Sequence, residues 1–129
     1  MTYNYKLKFK LFRQSFHYLK KTWYQIGTKP TILFIHHPPF DIAPYYVDGY
    51  RRKGEAADLT PLVGRHSQVV RLLCGHVHRW HHTLWAGTVA ITMPSVAVDL
   101  RKGDDASDDT APVYLLHAVA DEGSVITHT

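Results

Sequence analysis

The amino-acid sequence predicts a single domain of the α/β class, and three observations support this. A chain of 129 residues fits one domain of common size and is long enough to bury a core. Hydrophobic residues make up 45% of the sequence and charged residues 20%, as in globular proteins. The predicted elements follow one another as helix, strand, helix and strand, and then mostly as strands. This order is typical of layered α/β proteins, which bind ligands at the carboxyl ends of their strands.

The first predicted element is an amphipathic helix. Its apolar side chains recur at steps of four, three, four and three residues: Phe12, Phe16, Leu19, Trp23 and Ile26. This spacing places them on one face of a helix. Gly27 is expected to end the helix, because glycine is common just past the end of a helix. Pro30, which follows shortly after, is a second signal of the helix end. The next run, Thr31–Ile35, is short, apolar and partly β-branched, and it predicts a strand that is buried on both faces.

A loop and a second helix are predicted next. The prolines at positions 38 and 39 take the backbone out of the sheet directly after the strand. Residues 40–54 show no periodicity and predict a loop. Thr60 and Pro61 are typical of an N-cap and a first helical residue. They predict a helix of modest length that runs toward His66.

The remainder of the chain is predicted to be mainly β-structure. The run Val69–Cys74 predicts a second strand, which ends at a Gly-His-Val-His sequence. Residues 82–93 predict a hairpin or meander around Gly87. Residues 102–111 are polar and acidic and predict a loop, and residues 113–129 predict a closing β-hairpin.

The charge balance bears on possible partners. Lys and Arg number 15 against 11 Asp and Glu, which gives a net charge of +4 with neutral histidines. The first 40 residues contain basic side chains and no acidic one. No aromatic stacking motif or helix-turn-helix pattern accompanies them, so they favour a solvated helix face and terminus over a nucleic-acid site. A nucleic-acid partner, which we do not expect, would show binding that weakens steeply with salt.

Membrane and redox signals point to a cytoplasmic location. No apolar run approaches the ~18 residues that a membrane span needs, and the start lacks the apolar stretch of a signal peptide. The single cysteine, Cys74, excludes an internal disulfide framework and is compatible with a reducing compartment. We expect Cys74 to be a small buried apolar residue and not a nucleophile.

Histidine is the unusual component of the sequence. Ten histidines occur, and seven of them fall between positions 36 and 82. Imidazole is the commonest metal ligand in proteins. Both of the best-defined strands end in histidines, at His36 and at the turn from Gly75 to His78, and strand ends of this kind meet at one edge of an α/β sheet. The sequence therefore predicts a metal site there, with core histidines that bond to the backbone as the alternative.

Two motifs carry a resemblance to a known family. The segment TILFIHHPPF, followed about forty residues later by LLCGHVHR, resembles the calcineurin-like metallophosphoesterases. Within that family it is most similar to the class III branch of cyclic-nucleotide and glycerophosphodiester phosphodiesterases. The resemblance extends from about Phe16, through the turn at residues 87–88, to the terminal VITHT. It implies metal-dependent hydrolysis of a small phosphodiester, namely a cyclic nucleotide or a glycerophosphodiester.

The resemblance also implies roles for individual residues. In this family two metal ions share a bridging carboxylate and clamp a phosphoester. Carried over, His36 and His76 bind one metal ion and His78 binds the other. His37 takes the catalytic position beside them and contacts the substrate or the groups around the ligands, with a plain loop residue as the alternative. Arg79 contacts phosphate or is simply an exposed arginine. Neutral imidazoles suit Mn, Fe or Zn better than Mg.

Only part of the family pattern is present. The family's first half supplies Asp-x-His, Gly-Asp-x-x-Asp and Gly-Asn-His segments, and the sequence contains none of them; its single asparagine is Asn4. The implied fold is therefore a partial four-layer αββα sandwich whose N-terminal half is missing. Residues 1–129 form one truncated domain, and residues 1–11 are a basic segment that matches nothing expected of the family. Asp41, Asp48 and Asp58 could substitute as carboxylates, although their spacing does not argue for it.

These gaps shape the functional expectation. Without a carboxylate we expect the chain alone to bind at most one metal ion, weakly, and to hydrolyse phosphodiesters poorly or not at all. The alternative is a non-catalytic metal-binding or assembly half-domain that another chain completes. A half-sandwich leaves a sheet edge and an apolar face uncovered, so we expect a homo-oligomer or a complementing chain.

Overall fold

The computed structural model describes residues 13–42, 53–94 and 114–128. It contains two helices, α1 (Arg13–Ile26) and α2 (Lys53–Gly64). Six strands are present: β1 (Thr31–Ile35), β2 (Val69–Cys74), β3 (His81–Trp85), β4 (Thr88–Thr92), β5 (Leu116–Val119) and β6 (Val125–His128). The helices and the mixed sheet confirm the α/β class. The predicted bounds of β1 and β2 are also confirmed.

The main sheet has four strands in the order β1-β2-β4-β3. Strand β2 is parallel to both β1 and β4, and β3 is antiparallel to β4. The last residues of β1 and β2, Ile35 and Cys74, are register partners. Both strands therefore end at the same edge of the sheet, as the sequence predicts. The amide of Gly75 donates to the carbonyls of Ile35 and His36, at 3.4 and 3.1 Å, and ties the two exits together.

The core lies on one face of this sheet. Leu33 and Ile35 on β1 share this face with their register partners Leu72 and Cys74 on β2. Both helices pack against it, through the following buried residues: Leu19, Trp23, Leu59 and Val63. Burial of this apolar surface is the main stabilising term for the described layers.

The opposite face of the sheet is less covered. Leu73 and Ile91 are buried there, but Phe34 is 46% exposed and Leu84 is 75% exposed. The prediction that β1 is buried on both faces is therefore wrong. Strand β1 lies at the side of the sheet, and both helices pack on the other face, so the Phe34 ring stays partly exposed.

Helix α1 is built as its spacing predicts. Leu19 and Trp23 are buried, and Ile26 packs against the same core. Gly27 ends the helix in a left-handed conformation with a φ of 64°, and its amide donates to the carbonyl of Trp23 at 3.1 Å. This is the usual glycine C-terminal cap. Phe12 and the side chain of Phe16 lie outside the described residues.

Helix α2 begins earlier than its sequence signal indicates. Thr60 and Pro61 lie inside the helix and do not start it. The Thr60 hydroxyl donates to the carbonyl of Ala56 at 2.9 Å, one turn back. Ala56, Ala57 and Leu59 are good helix formers, and Glu55 lies in the first turn, where the helix dipole favours an acid. Pro61 has no N–H to donate to the carbonyl of Ala57, so the helix lacks one backbone hydrogen bond in its last turn.

Both predicted hairpins are confirmed. Ala86 and Gly87 connect β3 to β4 with positive φ angles of 50° and 82°, the backbone of a type I′ turn. Strands β5 and β6 form a separate two-stranded sheet. Residues 1–11, most of the predicted loop at 40–54 and the acidic loop at 102–111 lie outside the described residues. In the parts of the chain that are described, neither helix is long and apolar enough to span a membrane.

Candidate metal centre

The exit of β1 places two histidines at the sheet edge. His36 and His37 follow the strand directly, and both are exposed. Pro38 is buried and fixes the chain just beyond them. Phe40, further along, packs with Ile42 and with Val77 from the other exit in a small apolar cluster. This cluster joins the segments that follow β1 and β2.

The exit of β2 has an unusual backbone. His76 and His78 have positive φ angles of 72° and 53°, a left-handed conformation that costs roughly 1–3 kcal/mol for a residue with a side chain. Val77, between them, is buried, and its amide donates to the carbonyl of Gly75 at 2.9 Å. Burial of Val77 and these bonds hold the turn in place, and the strain is of a kind often found at functional sites.

Gly75 brings the two exits into close contact. A Cβ atom at this position would lie 3.3 Å from Nδ1 of His36. That distance is tighter than ordinary van der Waals contact, so a larger residue would push the His36 ring outward. Absence of a side chain at Gly75 therefore allows the ring to approach the β2 exit, as expected for a glycine at a site of close approach.

Three imidazole rings converge at this edge. His36, His37 and His76 each offer a ring nitrogen, and these atoms lie within 4.8 Å of one another. The ring centroids are 4.8 Å apart for His36 and His37, 5.3 Å for His36 and His76, and 4.4 Å for His37 and His76. We call these three residues the histidine triplet. Nε2 of His76 is buried from solvent.

The triplet brings together some of the residues that the sequence indicates as metal ligands. His36 and His76 come together, as expected for ligands of one ion. His78 is not a member of the triplet. His37, assigned from the sequence to a place beside the metal ligands, is a member. The adjacent pair of histidines at the end of β1 was the available sequence signal, but a pair alone does not show which ring turns inward.

Arg79 lies at the end of the β2 exit. Its side chain is half-buried, and its backbone carbonyl accepts a hydrogen bond from the buried hydroxyl of Thr92 at 2.8 Å. Strand β4 therefore anchors the far end of the turn.

Among the described residues, the triplet offers donors that suit one transition-metal ion. Three neutral imidazoles with an open fourth position form a known arrangement for catalytic zinc. The triplet includes no carboxylate: Asp41 and Asp58 are described and exposed but lie outside it, and Asp48 is outside the described residues. Two dications held by neutral ligands alone would be poorly compensated in charge. The chemistry of the donors therefore supports a single-ion site.

The nearby thiol is not a candidate ligand. Burial raises the pKa of Cys74 to about 12, and the residue is fully enclosed. A metal ion binds the thiolate, which this environment disfavours. The prediction of Cys74 as a buried apolar residue is confirmed.

Comparisons with known proteins agree with the resemblance carried by the two histidine motifs. No family model matches the chain. The chain is 37% identical over 117 residues to the probable glycerophosphodiester phosphodiesterase GpdQ of Arcobacter nitrofigilis, an alignment that covers 87% of this chain and 43% of that protein. It is 31% identical over 94 residues to the glycerophosphodiester phosphodiesterase GpdQ of Enterobacter lignolyticus, over 68% of this chain and 30% of that protein.

A third relative broadens the comparison to cyclic nucleotides. The chain is 30% identical over 83 residues to the 3′,5′-cyclic adenosine monophosphate phosphodiesterase CpdA of Vibrio vulnificus, over 64% of this chain and 30% of that protein. The chain spans less than half the length of each of these relatives. The resemblance inferred from the two histidine motifs is thereby confirmed: the chain is similar to part of proteins named as glycerophosphodiester and cyclic adenosine monophosphate phosphodiesterases.

Proposed function

We propose that this chain carries the histidine-rich part of a metal-dependent phosphodiesterase site. The observation that carries the proposal is the meeting of His36 and His76 at one sheet edge, with ring nitrogens within 4.8 Å, in a chain similar to enzymes named as phosphodiesterases. The proposed substrate is a small phosphodiester, either a glycerophosphodiester or a cyclic nucleotide. A cytoplasmic location, expected from the single cysteine, is part of the proposal.

Each residue has a defined task in this proposal. His36 and His76 hold one ion, and His78 holds a second ion when the site is complete. A bound ion of the Mn, Fe or Zn type supplies Lewis acidity toward a phosphoryl oxygen and lowers the pKa of water. His37, which is exposed at the edge, donates a hydrogen bond to the substrate. The Arg79 guanidinium offsets the negative charge of the phosphodiester through paired N–H donors.

Activity of the chain alone is expected to be impaired. Two ions need a bridging carboxylate to offset their mutual repulsion, and the sequence lacks the acidic motifs of the family's first half. The described triplet offers only neutral donors. We therefore expect weak turnover or none until carboxylates are supplied.

A second candidate function is a metal-binding half-domain that another chain completes. The chain spans 43% of the Arcobacter nitrofigilis relative, and one face of its sheet exposes Phe34, Leu84 and Val89. Exposed apolar groups on a sheet face are typical of surfaces that bind another protein. A complementing chain or a second copy of this chain would fill that role.

The test compares hydrolysis of bis(p-nitrophenyl) phosphate by the chain alone and by the chain mixed with the part of the Arcobacter nitrofigilis relative that it does not match. Mn²⁺ is added to both, and His76→Ala is compared with His128→Ala, a matched variant of an exposed histidine on β6. Turnover that appears in the mixture and is lost only with His76→Ala supports the proposal. Turnover by the chain alone that His76→Ala abolishes supports catalysis and contradicts impairment. No turnover in either sample contradicts the phosphodiesterase proposal.

A further inference from the structure

We infer that this chain on its own holds one divalent transition-metal ion with His36, His37 and His76, so that His37 is a ligand of the same ion as His36 and His76. The inference rests on the proposed function for His36 and His76 only. The resemblance assigns His37 to the substrate, and the geometry of the edge favours a different role when the acidic half is absent.

The ring nitrogens of the triplet lie somewhat farther apart than the ligands of one ion. Zn–N bonds of about 2.0–2.1 Å in a tetrahedral site place two nitrogens roughly 3.3 Å apart. The nitrogens of the triplet lie within 4.8 Å of one another, so the widest pair must close by about 1.5 Å. None of the three ring pairs is stacked face to face, since their interplanar angles are 86°, 70° and 54°. Inclined rings can direct their nitrogens at one ion.

His37 can make this adjustment with its side chain. Both His36 and His37 are exposed, and exposed side chains change rotamer on a fast timescale. His36 has no left-handed strain at its backbone, because the positive φ angles occur at His76, His78 and Ala86 among the non-glycine residues described. The β1 exit therefore supplies ligands that can move inward without reshaping the backbone.

His78 cannot join the same ion as easily. The turn that carries it is held in the middle by buried Val77, which packs with Ile42 and Phe40. It is held at its far end by the hydrogen bond from Thr92 to the carbonyl of Arg79 at 2.8 Å. His78 lies outside the triplet, and its backbone cannot shift without moving this anchored turn. The fixed turn therefore favours His37 over His78.

The ligand chemistry selects the class of ion. Three neutral imidazoles favour Zn²⁺, Co²⁺, Ni²⁺ or Cu²⁺ over Mg²⁺ or Ca²⁺, which prefer oxygen ligands. A fourth position stays open for water or for a phosphate oxygen. When a complementing chain supplies carboxylates, His37 is released from the ion and becomes available to the substrate.

The inference is tested by calorimetric titration of the untagged chain with Zn²⁺, alongside His37→Ala, His78→Ala and His128→Ala. Circular dichroism of each metal-free variant checks the fold. We expect one Zn²⁺ per chain, a loss of affinity of at least about tenfold for His37→Ala, and a change of less than about twofold for the other two variants. Co²⁺ absorption of the same samples reports whether the number of nitrogen ligands falls.

Each contrary result has a distinct meaning. Loss of affinity with His78→Ala but not with His37→Ala overturns this inference and leaves the proposed phosphodiesterase site intact. Two ions per chain overturn the single-ion site but support the proposed function. Binding that none of these variants alters, or that responds equally to His128→Ala, overturns the inference and removes support for the histidine edge as a whole.

Discussion

Strands β1 and β2 end at the same edge of the sheet, but they differ in almost every other respect. Strand β1 lies at the side of the sheet, one of its side chains, Phe34, is 46% exposed, and its two exit histidines are exposed. Strand β2 lies between two parallel neighbours. Its last three residues are at most 2% exposed, and its exit histidines are half-buried with left-handed backbones.

The difference bears on how the proposed metal site would bind its ion. The β2 exit fixes one imidazole in advance, because a buried strand and the buried Val77 hold a strained turn. The β1 exit adds imidazoles whose rings adjust. A site with one fixed side and one adjustable side can bind an ion with different numbers of ligands. Tight binding, by contrast, needs ligands that are held in place before the ion arrives.

The thiol at the end of β2 is the most sharply protected group. Because burial raises the pKa of Cys74 to about 12, we expect about a thousandfold less thiolate than for an ordinary cysteine near neutral pH. Alkylation by iodoacetamide at pH 8 should therefore be negligible until denaturant is added. The comparison is Phe34→Cys on the exposed face of β1, where the new thiol should react at once. Equal rates for the two thiols in the folded protein would contradict the contrast.

Truncation of a side chain should destabilise the protein more on β2 than on β1. Leu72 on β2 is 0% exposed, so Leu72→Ala removes packed methyl groups and leaves a cavity that costs about 3 kcal/mol. Phe34→Ala on β1 removes a partly solvated ring and should cost less than about 1 kcal/mol. Urea unfolding of both variants measures the difference. Similar costs would mean that the outer face of β1 is covered in solution, for example by a second copy of the chain.

Replacement by glycine, compared with replacement by alanine, should change stability in opposite directions at the two exits. His76 has a φ of 72°, so His76→Gly should be more stable than His76→Ala by about 1 kcal/mol, because glycine adopts this conformation without strain. His36 has no positive φ, so His36→Gly should be less stable than His36→Ala by about 0.5–1 kcal/mol. Chemical denaturation of the four metal-free variants measures both differences. The same sign at both positions would contradict the assignment of strain to the β2 exit.

The smallest effect concerns the outer side of β2. Arg71 donates to the carbonyl of Val125 at 2.8 Å and so connects β2 to the second hairpin. Burial, and then the charge of Arg71, lower the pKa of His117 below its usual value. The unfolded state therefore binds the proton more readily, and the stability from neutral His117 is complete above pH ~6.5 and lost as the pH falls through the lowered value.

Stability measured by urea unfolding at several pH values should show this loss. His117→Gln should flatten the decline below pH ~6.5, while His128→Gln, an exposed histidine of the same hairpin, should leave it unchanged. A decline that persists in full with His117→Gln would assign it to other groups.

Sequence reasoning succeeded where the signal is local. The bounds of β1 and β2 follow from short apolar runs that end at prolines or at Gly75, and the end of α1 follows from Gly27. The start of α2 was missed because Thr60 and Pro61 have the same appearance at a helix start and in a last turn. The exposure of Phe34 was missed because burial of a strand depends on which layers cover it. The apolar residues of β1 do not show whether one face or both faces are covered.

The site was predictable to the same extent. Two strands that end in histidines, in an α/β order, are enough to place His36 and His76 at one edge. The choice between His37 and His78 depends on the left-handed turn and on burial of Val77. These features arise from tertiary packing between the two exits, and the sequence pattern contains no signal for them.

The central claim is that the two strand exits supply ligands to one ion. The most direct measurement is a long-range ¹H–¹⁵N spectrum of the histidine rings during titration of the chain with Zn²⁺, with resonances assigned by single His→Ala variants. We expect the ring nitrogens of His36 and His76 to shift together and to saturate at the same metal concentration. Shifts that are confined to the other histidines, or that saturate at different concentrations for these two, would contradict it.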